Sequence, residues 1–207
     1  MTMDSKMKKT PVHTKRRRIR ELQLKITLRG SNPLIWRRLH VHSETTLHRL
    51  HLNIQMLMEW YDYHLYQFEI HGNQYGFPHE EADGIDSTRV SLSDLDLSKG
   101  DTFMYLYDFG DCWEHDILIE RSRIPRPNTW LPYLATGERA GPPEDCGGIG
   151  GFEQFLQVLD APRHPDHEEM VNWVGEDYDP ARFDVRAHRH ALVIAESGIV
   201  GYPQRPG

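Results

Sequence analysis

The amino-acid sequence predicts an α+β fold, in which a mostly antiparallel sheet is followed by a helical C-terminal third. Apolar and polar residues alternate in short segments between residues 22 and 119, which is typical of half-buried strands. From residue 151 onward, apolar residues recur instead at helical spacing. The length of 207 residues suits roughly one domain of this class.

A β-hairpin, a helix and a third strand are expected in that order at the start of the domain. Residues 22–28 alternate strictly, and a second strand is expected over 34–41 after a Gly-Ser-Asn-Pro turn. Ser43 is the expected N-cap of a helix over residues 45–60, and residues 66–70 alternate again. This order of elements is also the one with which a β-grasp fold begins.

The middle of the chain is expected to hold a second hairpin between two irregular segments. Residues 78–100 are acidic and rich in turn-forming residues, and residues 122–150 are rich in proline and glycine. Between them, strands are expected over 103–107 and 113–119, joined by the Asp-Phe-Gly-Asp turn at 108–111.

The C-terminal third is expected to be helical. Aromatic and aliphatic side chains recur at helical spacing after Gly151. Asp179 and Pro180 are expected to open a last helical stretch, because proline is favoured at the first helical position. The final residues carry no strong pattern. We therefore expect a single α+β domain over 21–190 and a C-terminal tail over 191–207.

Charge is distributed unevenly along the chain. The net charge is −7, but residues 1–20 hold eight basic side chains and one acidic side chain. A flexible basic arm on an acidic body is typical of tails that contact nucleic-acid phosphates. DNA or RNA contact through residues 6–20, including Arg16, Arg17 and Arg18, is therefore one hypothesis. The alternative is a solvated tail without a partner.

The composition excludes several classes of protein. No apolar run approaches the roughly 18 residues of a membrane span, so no membrane contact is expected. The charged N-terminus is not followed by an apolar stretch, so no secretory signal is expected. Cys112 and Cys146 are the only cysteines, which excludes a disulfide scaffold and a four-cysteine zinc site. Together these features favour a cytoplasmic protein.

Five short motifs stand out along the chain. They are PLIWRR at 33–38, Trp60 with His64, YDFGDCWEH at 107–115, PPEDCGG at 142–148, and HEEM at 167–170 followed by Trp173, Gly175, Phe183 and Asp184. Together they resemble the plasmid pRiA4b ORF-3-like family, some members of which are labelled resolvase-like passenger proteins of insertion sequences. The resemblance covers residues 20–186. It implies an α+β fold and an association with bacterial plasmids and mobile elements, and it implies no reaction.

The residues do not support the chemistry that a resolvase label suggests. A site-specific recombinase needs a nucleophilic Ser or Tyr surrounded by arginines that neutralise the scissile phosphate. After the basic arm, the arginines are scattered singly apart from the pair Arg37 and Arg38. We therefore expect no recombinase activity, and an enzymatic role is not the leading hypothesis.

Polar residues around the second hairpin form the main candidate site. His115 shares a strand face with apolar side chains and should point inward. If the loops around residues 111 and 145 meet, the polar side chains could form a metal site or an acid/base pocket. The candidate ligands of zinc or another divalent metal are His64, Asp111, His115 and Cys146, and the candidate catalytic carboxylates are Glu144 and Asp145.

Other interpretations of these residues remain open. The polar group could be a buried hydrogen-bond network that holds segment 122–150 against the sheet. Trp36 and Arg37, on the second strand, could form a partner-binding surface. The leading hypothesis is an accessory protein of a plasmid or mobile element that acts by binding a partner, with nucleic acid bound through the basic arm. The alternatives are a metal-assisted hydrolase and a protein-interaction module.

Overall fold

The N-terminal hairpin and helix follow the predicted order. The structure, a computed structural model, describes residues 18–76 and 84–197. Strands β1 (Glu21–Leu28) and β2 (Trp36–His42) pair antiparallel, and their alternating apolar residues are buried. Helix α1 (Leu47–Met58) follows.

The start of α1 corrects one expectation. The N-cap is Thr46 and not Ser43, because the Thr46 hydroxyl accepts a hydrogen bond from the Arg49 backbone N–H at 3.2 Å. Ser43 instead accepts a hydrogen bond through Oγ from the Arg20 N–H and fixes the first residue before β1. The helix ends at Glu59, whose backbone is left-handed with φ of 63°.

Within residues 18–76 and 84–197, eight strands form one sheet. The six further strands are β3 (Tyr66–Ile70), β4 (Asn73–Gly76), β5 (Ile85–Asp86), β6 (Thr102–Tyr107), β7 (Trp113–Arg123) and β8 (Tyr133–Glu138). Their order is β5-β4-β3-β6-β7-β1-β2-β8, and among these pairs only β4 and β5 run parallel. The predicted α+β fold with a mostly antiparallel sheet is confirmed. The strand that follows α1 lies apart from the first hairpin, with β6 and β7 between them.

The two faces of the sheet differ. One face packs its apolar residues against α1 and the C-terminal helices, and this core includes the fully buried Trp60 and Trp113. The other face carries charged side chains, among them the ion pair between Arg38 and Glu120 at 2.6 Å. The alternation of apolar and polar residues in the sequence therefore separates a buried face from a polar one.

Three further helices follow in the part of the chain that the structure describes, with bounds that differ from those expected. They are α2 (Gly148–Leu159), α3 (His167–Val174) and α4 (Val185–Ser197). Helix α4 begins after the Asp179-Pro180 pair and continues into the expected tail, because Leu192 is buried in the core. Within the described ranges, no helix has the length and apolar character that crossing a membrane requires.

The irregular segment 122–150 contains an unexpected strand. Strand β8 forms the edge of the sheet beside β2, and only Leu134 of its six residues is fully buried. An edge strand with a single buried side chain has too little alternation to be recognised in sequence. The strand returns the chain to α1 and so positions the loop at 139–147 over the end of the sheet.

Candidate functional site

The two loops of the candidate site meet at one end of the sheet. The Asp111 carboxylate accepts a hydrogen bond from the Gly147 N–H at 3.1 Å, which joins the turn after β6 to the loop before α2. Gly148 allows this approach, because a Cβ there would collide with the Asp111 carbonyl oxygen. Trp60 adds a second link by donating its Nε1–H to the Pro142 carbonyl at 2.8 Å.

At this junction, three side chains form a cluster that could hold a metal ion. His64 Nε2 lies 3.0 Å from Asp145 Oδ1 and 3.6 Å from Asp108 Oδ2. One donor atom from each residue lies within 4.8 Å of the other two. Asp108 is buried, His64 is partly exposed and Asp145 is exposed, so the cluster opens to solvent on one side. We call these three residues the His64 cluster.

The backbone is left-handed at both acidic residues of the His64 cluster. Asp108 has a φ of 57° and Asp145 a φ of 59°, in the left-handed region that non-glycine residues rarely adopt. A turn holds Asp108 in place, since its Oδ1 accepts the Gly110 N–H at 2.9 Å. Aspartate is one of the residue types that adopt this region more readily, and at both positions the conformation belongs to a tight turn.

Glu144 lies beside the cluster with an altered acidity. Its carboxylate accepts the Tyr107 hydroxyl at 2.5 Å and the Tyr61 backbone N–H at 2.8 Å. Burial raises the pKa of Glu144 above its ordinary value, although these hydrogen bonds oppose the shift. A carboxyl group with a raised pKa is a stronger base than an ordinary carboxylate, which suits proton transfer.

A cleft of about 680 Å³ adjoins these side chains. It lies between the end of α1, the loop at 141–145, and helices α3 and α4, and both Glu144 and Asp145 line it. Its volume is within the range of about 300–1,000 Å³ that small-molecule sites occupy. The His64 cluster thus stands at the edge of a cavity that could hold a ligand.

The sequence and the fold connect the chain to other proteins. Residues 20–187 match the family described as plasmid pRiA4b ORF-3-like protein. The chain belongs to this family. The match confirms the resemblance carried by the five motifs, and it includes all three residues of the His64 cluster.

Two similar proteins span most of the chain. Protein y4hQ of Sinorhizobium fredii (strain NBRC 101917 / NGR234), described as uncharacterized, is 43% identical over 164 residues, which are 77% of this chain and 84% of the relative. The crystal structure of MM3350 from Methanosarcina mazei Go1, a protein of unknown function, is 33% identical with a TM-score of 0.77. That match covers 83% of this chain and 98% of MM3350.

Three predicted ligands lie outside the His64 cluster. His115 points inward as predicted, but it is fully buried and packs edge-on against Trp60, so it does not reach the loops. Asp111 uses its carboxylate to hold the Gly147 N–H. Cys146 packs against the hydrophobic core, and burial raises the pKa of its thiol to about 12. Of the four predicted ligands, only His64 belongs to the His64 cluster.

The two residues of the predicted partner-binding surface, Trp36 and Arg37, lie in different environments. Arg37 is fully buried and donates hydrogen bonds to backbone carbonyls, so the expectation that it forms part of an exposed surface is wrong. Trp36 remains partly exposed, with Lys25 and Arg38 over its ring at 5.3 and 5.0 Å. Of the predicted phosphate-binding arginines, Arg18 is exposed, whereas 16–17 lie outside the described residues.

A buried polar network below the cluster was not predicted. His51 stacks on Tyr66 with ring centroids 3.6 Å apart, and it makes hydrogen bonds of 2.8 Å with Asp62 and with the Tyr105 hydroxyl. Burial lowers the pKa of His51 and raises that of Tyr105. The sequence holds one signal for it, since His51 follows Leu47 by four residues and so shares the apolar face of α1.

Proposed function

We propose that the protein binds a divalent metal ion through the His64 cluster, and that the ion assists hydrolysis of a ligand in the adjoining cleft. One observation carries the proposal, namely that a histidine nitrogen and two carboxylate oxygens already lie within 4.8 Å of one another. Two atoms bound to the same ion at about 2.1 Å are separated by about 3.0–4.2 Å. The two distances from His64 Nε2, 3.0 and 3.6 Å, fall in this range.

The chemistry of the donors supports the same proposal. A mixed set of imidazole and carboxylate ligands suits zinc, manganese or iron, and three protein ligands leave a position for water. Such an ion lowers the pKa of its bound water and polarises the bond to be cleaved. Glu144 is the carboxyl group beside the cluster that could accept the proton from the attacking water.

Zinc or manganese is expected to stabilise the full-length chain. An ion at about 100 times its dissociation constant adds about 2.7 kcal/mol to the free energy of unfolding if it binds only the folded state. For a chain of this size, that corresponds to a rise of about 5–10 °C in the melting temperature. Differential scanning fluorimetry with and without each metal, against a chelator baseline, measures the shift.

Variants distinguish a metal site at the His64 cluster from a cluster that only stabilises the loop. His64→Ala and Asp145→Asn are expected to abolish the shift, whereas Cys146→Ala is expected to retain it, because the Cys146 thiol packs in the core. If the three side chains only held the loop against the sheet, the two variants would lower the melting temperature without altering any response to metal. A shift that survives both variants would place the ion elsewhere and contradict the proposal.

The uneven charge favours a second function, the binding of nucleic acid through the basic arm. Arg20 is attached to the domain, since its guanidinium donates to the Ser122 hydroxyl at 2.6 Å, so the informative truncation removes residues 1–17 only. We expect the full chain to bind a DNA duplex in a salt-dependent way and the truncated chain to lose most of this affinity. Fluorescence anisotropy over a range of salt concentrations measures both, and equal binding by the two chains would refute this role for the arm.

A further inference from the structure

Aromatic rings and acidic groups line the cleft beside the His64 cluster. Tyr61 and Tyr63 are 37% and 45% exposed, and their rings stack with centroids 5.9 Å apart. Trp173 lines the same cleft and is 43% exposed. Aromatic faces that remain accessible in a cavity attract cations through their quadrupoles.

The charged groups of the cleft are predominantly acidic. The carboxylates are those of Glu59, Glu144 and Asp145, and no lysine or arginine lies among the described lining residues. In the proposed metal site, the charges of Asp108 and Asp145 would balance those of a divalent ion. With Glu144 assigned to proton transfer, Glu59 would then remain for a second, cationic group.

Glu59 presents an exposed carboxylate to the cleft. Its side chain is 64% exposed, and its Oε1 lies 3.6 Å from Nε2 of His188, a residue that is only 7% exposed and lines the same cleft. The Nδ1–H of His188 donates to the Asp184 carbonyl at 2.8 Å and fixes the ring in the wall of the cleft. The Glu59 carboxylate therefore lies at the surface of the cleft, where a cationic ligand can reach it.

We propose that the cleft binds a small organic cation, in which an ammonium, guanidinium or amidinium group is joined to an apolar body. The cationic group would lie against the Glu59 carboxylate, and the apolar body would pack on Tyr61, Tyr63 and Trp173. This inference rests on the proposed function in that it names the ligand class of the same site. The cation contacts themselves do not require the metal ion.

The test compares a cation with its neutral isostere. Benzamidine and benzamide have the same shape, and only benzamidine is charged at neutral pH. Titration of the full chain, followed by protein NMR in the presence of a chelator, is expected to show benzamidine binding at least about tenfold more tightly than benzamide. Equal affinities, or no binding of benzamidine at concentrations of about 10 mM, would overturn the proposal.

Matched variants test whether Glu59 causes the preference for benzamidine over benzamide. Glu59→Gln, at a position that is 64% exposed on the side chain, is expected to weaken benzamidine binding about tenfold and to leave benzamide unchanged. Glu44→Gln, at an exposed position at the other end of α1, is the control and should bind as the native chain does. Identical affinities for the Glu59→Gln and Glu44→Gln chains would also overturn the proposal. Because a chelator is present, failure of the metal site alone would leave these results unchanged.

Discussion

Replacing Arg37 with methionine is expected to lower the free energy of unfolding by about 3–4 kcal/mol. The Arg37 guanidinium is fully buried, and it donates hydrogen bonds to the carbonyls of Leu57, Trp36 and Glu138 at 2.8, 2.9 and 2.8 Å. It also lies 3.9 Å from the centre of the Phe183 ring. Burial lowers the pKa of Arg37 to about 9, which leaves it charged at neutral pH.

The size of this effect follows from where the three carbonyls lie. Leu57 is in the last turn of α1, where carbonyls lack partners within the helix and the helix dipole favours a positive charge. The Trp36 and Glu138 carbonyls belong to β2 and β8. Methionine would occupy similar space without donors, and each lost bond to a charged donor removes about 1.5–3 kcal/mol, offset in part by the relief of burying a charge.

Arg38→Met is the matched control for Arg37→Met. Arg38 is the next residue of β2 but lies on the polar face of the sheet, where it pairs with Glu120 and its side chain is 30% exposed. Ion pairs of this kind contribute about 0.2–1 kcal/mol. Urea denaturation of both variants measures the difference. A loss for Arg37→Met no larger than that for Arg38→Met would show that the buried guanidinium does not hold α1 to the sheet.

Acid is expected to destabilise the protein through His115. This side chain is fully buried, and burial lowers its pKa to about 3, well below the ordinary value of 6.5. Its Nδ1–H donates to the Trp113 carbonyl at 3.0 Å, and because burial lowers the pKa so far, the ring is neutral in the folded state at neutral pH. Below pH 6.5 the unfolded chain takes up a proton at His115 that the folded chain does not, so stability falls as the pH falls towards 3.

The contribution of His115 to the pH dependence of stability can be measured against a variant with no titratable group at this position. Between pH 7 and pH 5, His115 alone is expected to remove about 2 kcal/mol from the free energy of unfolding. Denaturant titrations of the native chain and of His115→Gln at both pH values isolate this contribution, because glutamine does not bind a proton. His190→Gln, at an exposed position in α4, should show the native pH dependence. An unchanged pH dependence in His115→Gln would mean that the ring is protonated inside the fold.

The sequence predicts those parts of the fold that have strict periodicity. The alternation of residues 22–28 and the helical spacing after Leu47 correspond to β1 and α1, because each pattern places one apolar face against the core. Strand β8 was not predicted, since a single fully buried side chain produces no alternation. The first residue of α1 was placed too early, because Ser43 and Thr46 are both good N-caps and only the fold selects Thr46.

The sequence offered no way to decide whether the two loops meet, and it did not group the three residues of the His64 cluster. The meeting of the two loops depends on Gly148 lying against the Asp111 backbone, which no spacing in the sequence reveals. Alternation correctly predicts that His115 points inward, but it does not tell a core position from a site position. Asp108 resembles an ordinary turn residue in the sequence, and it becomes a candidate ligand only because its left-handed backbone places it near His64.

The metal content of the full-length chain tests the central proposal most directly. The native chain, loaded with zinc and dialysed extensively, is expected to retain about one equivalent per chain by elemental mass spectrometry. The His115→Gln chain should retain the same amount, because His115 lies in the core, whereas the His64→Ala and Asp108→Asn chains should retain almost none. A native chain that keeps no metal, or a His64→Ala chain that keeps as much as the native chain, would contradict a metal site at the His64 cluster.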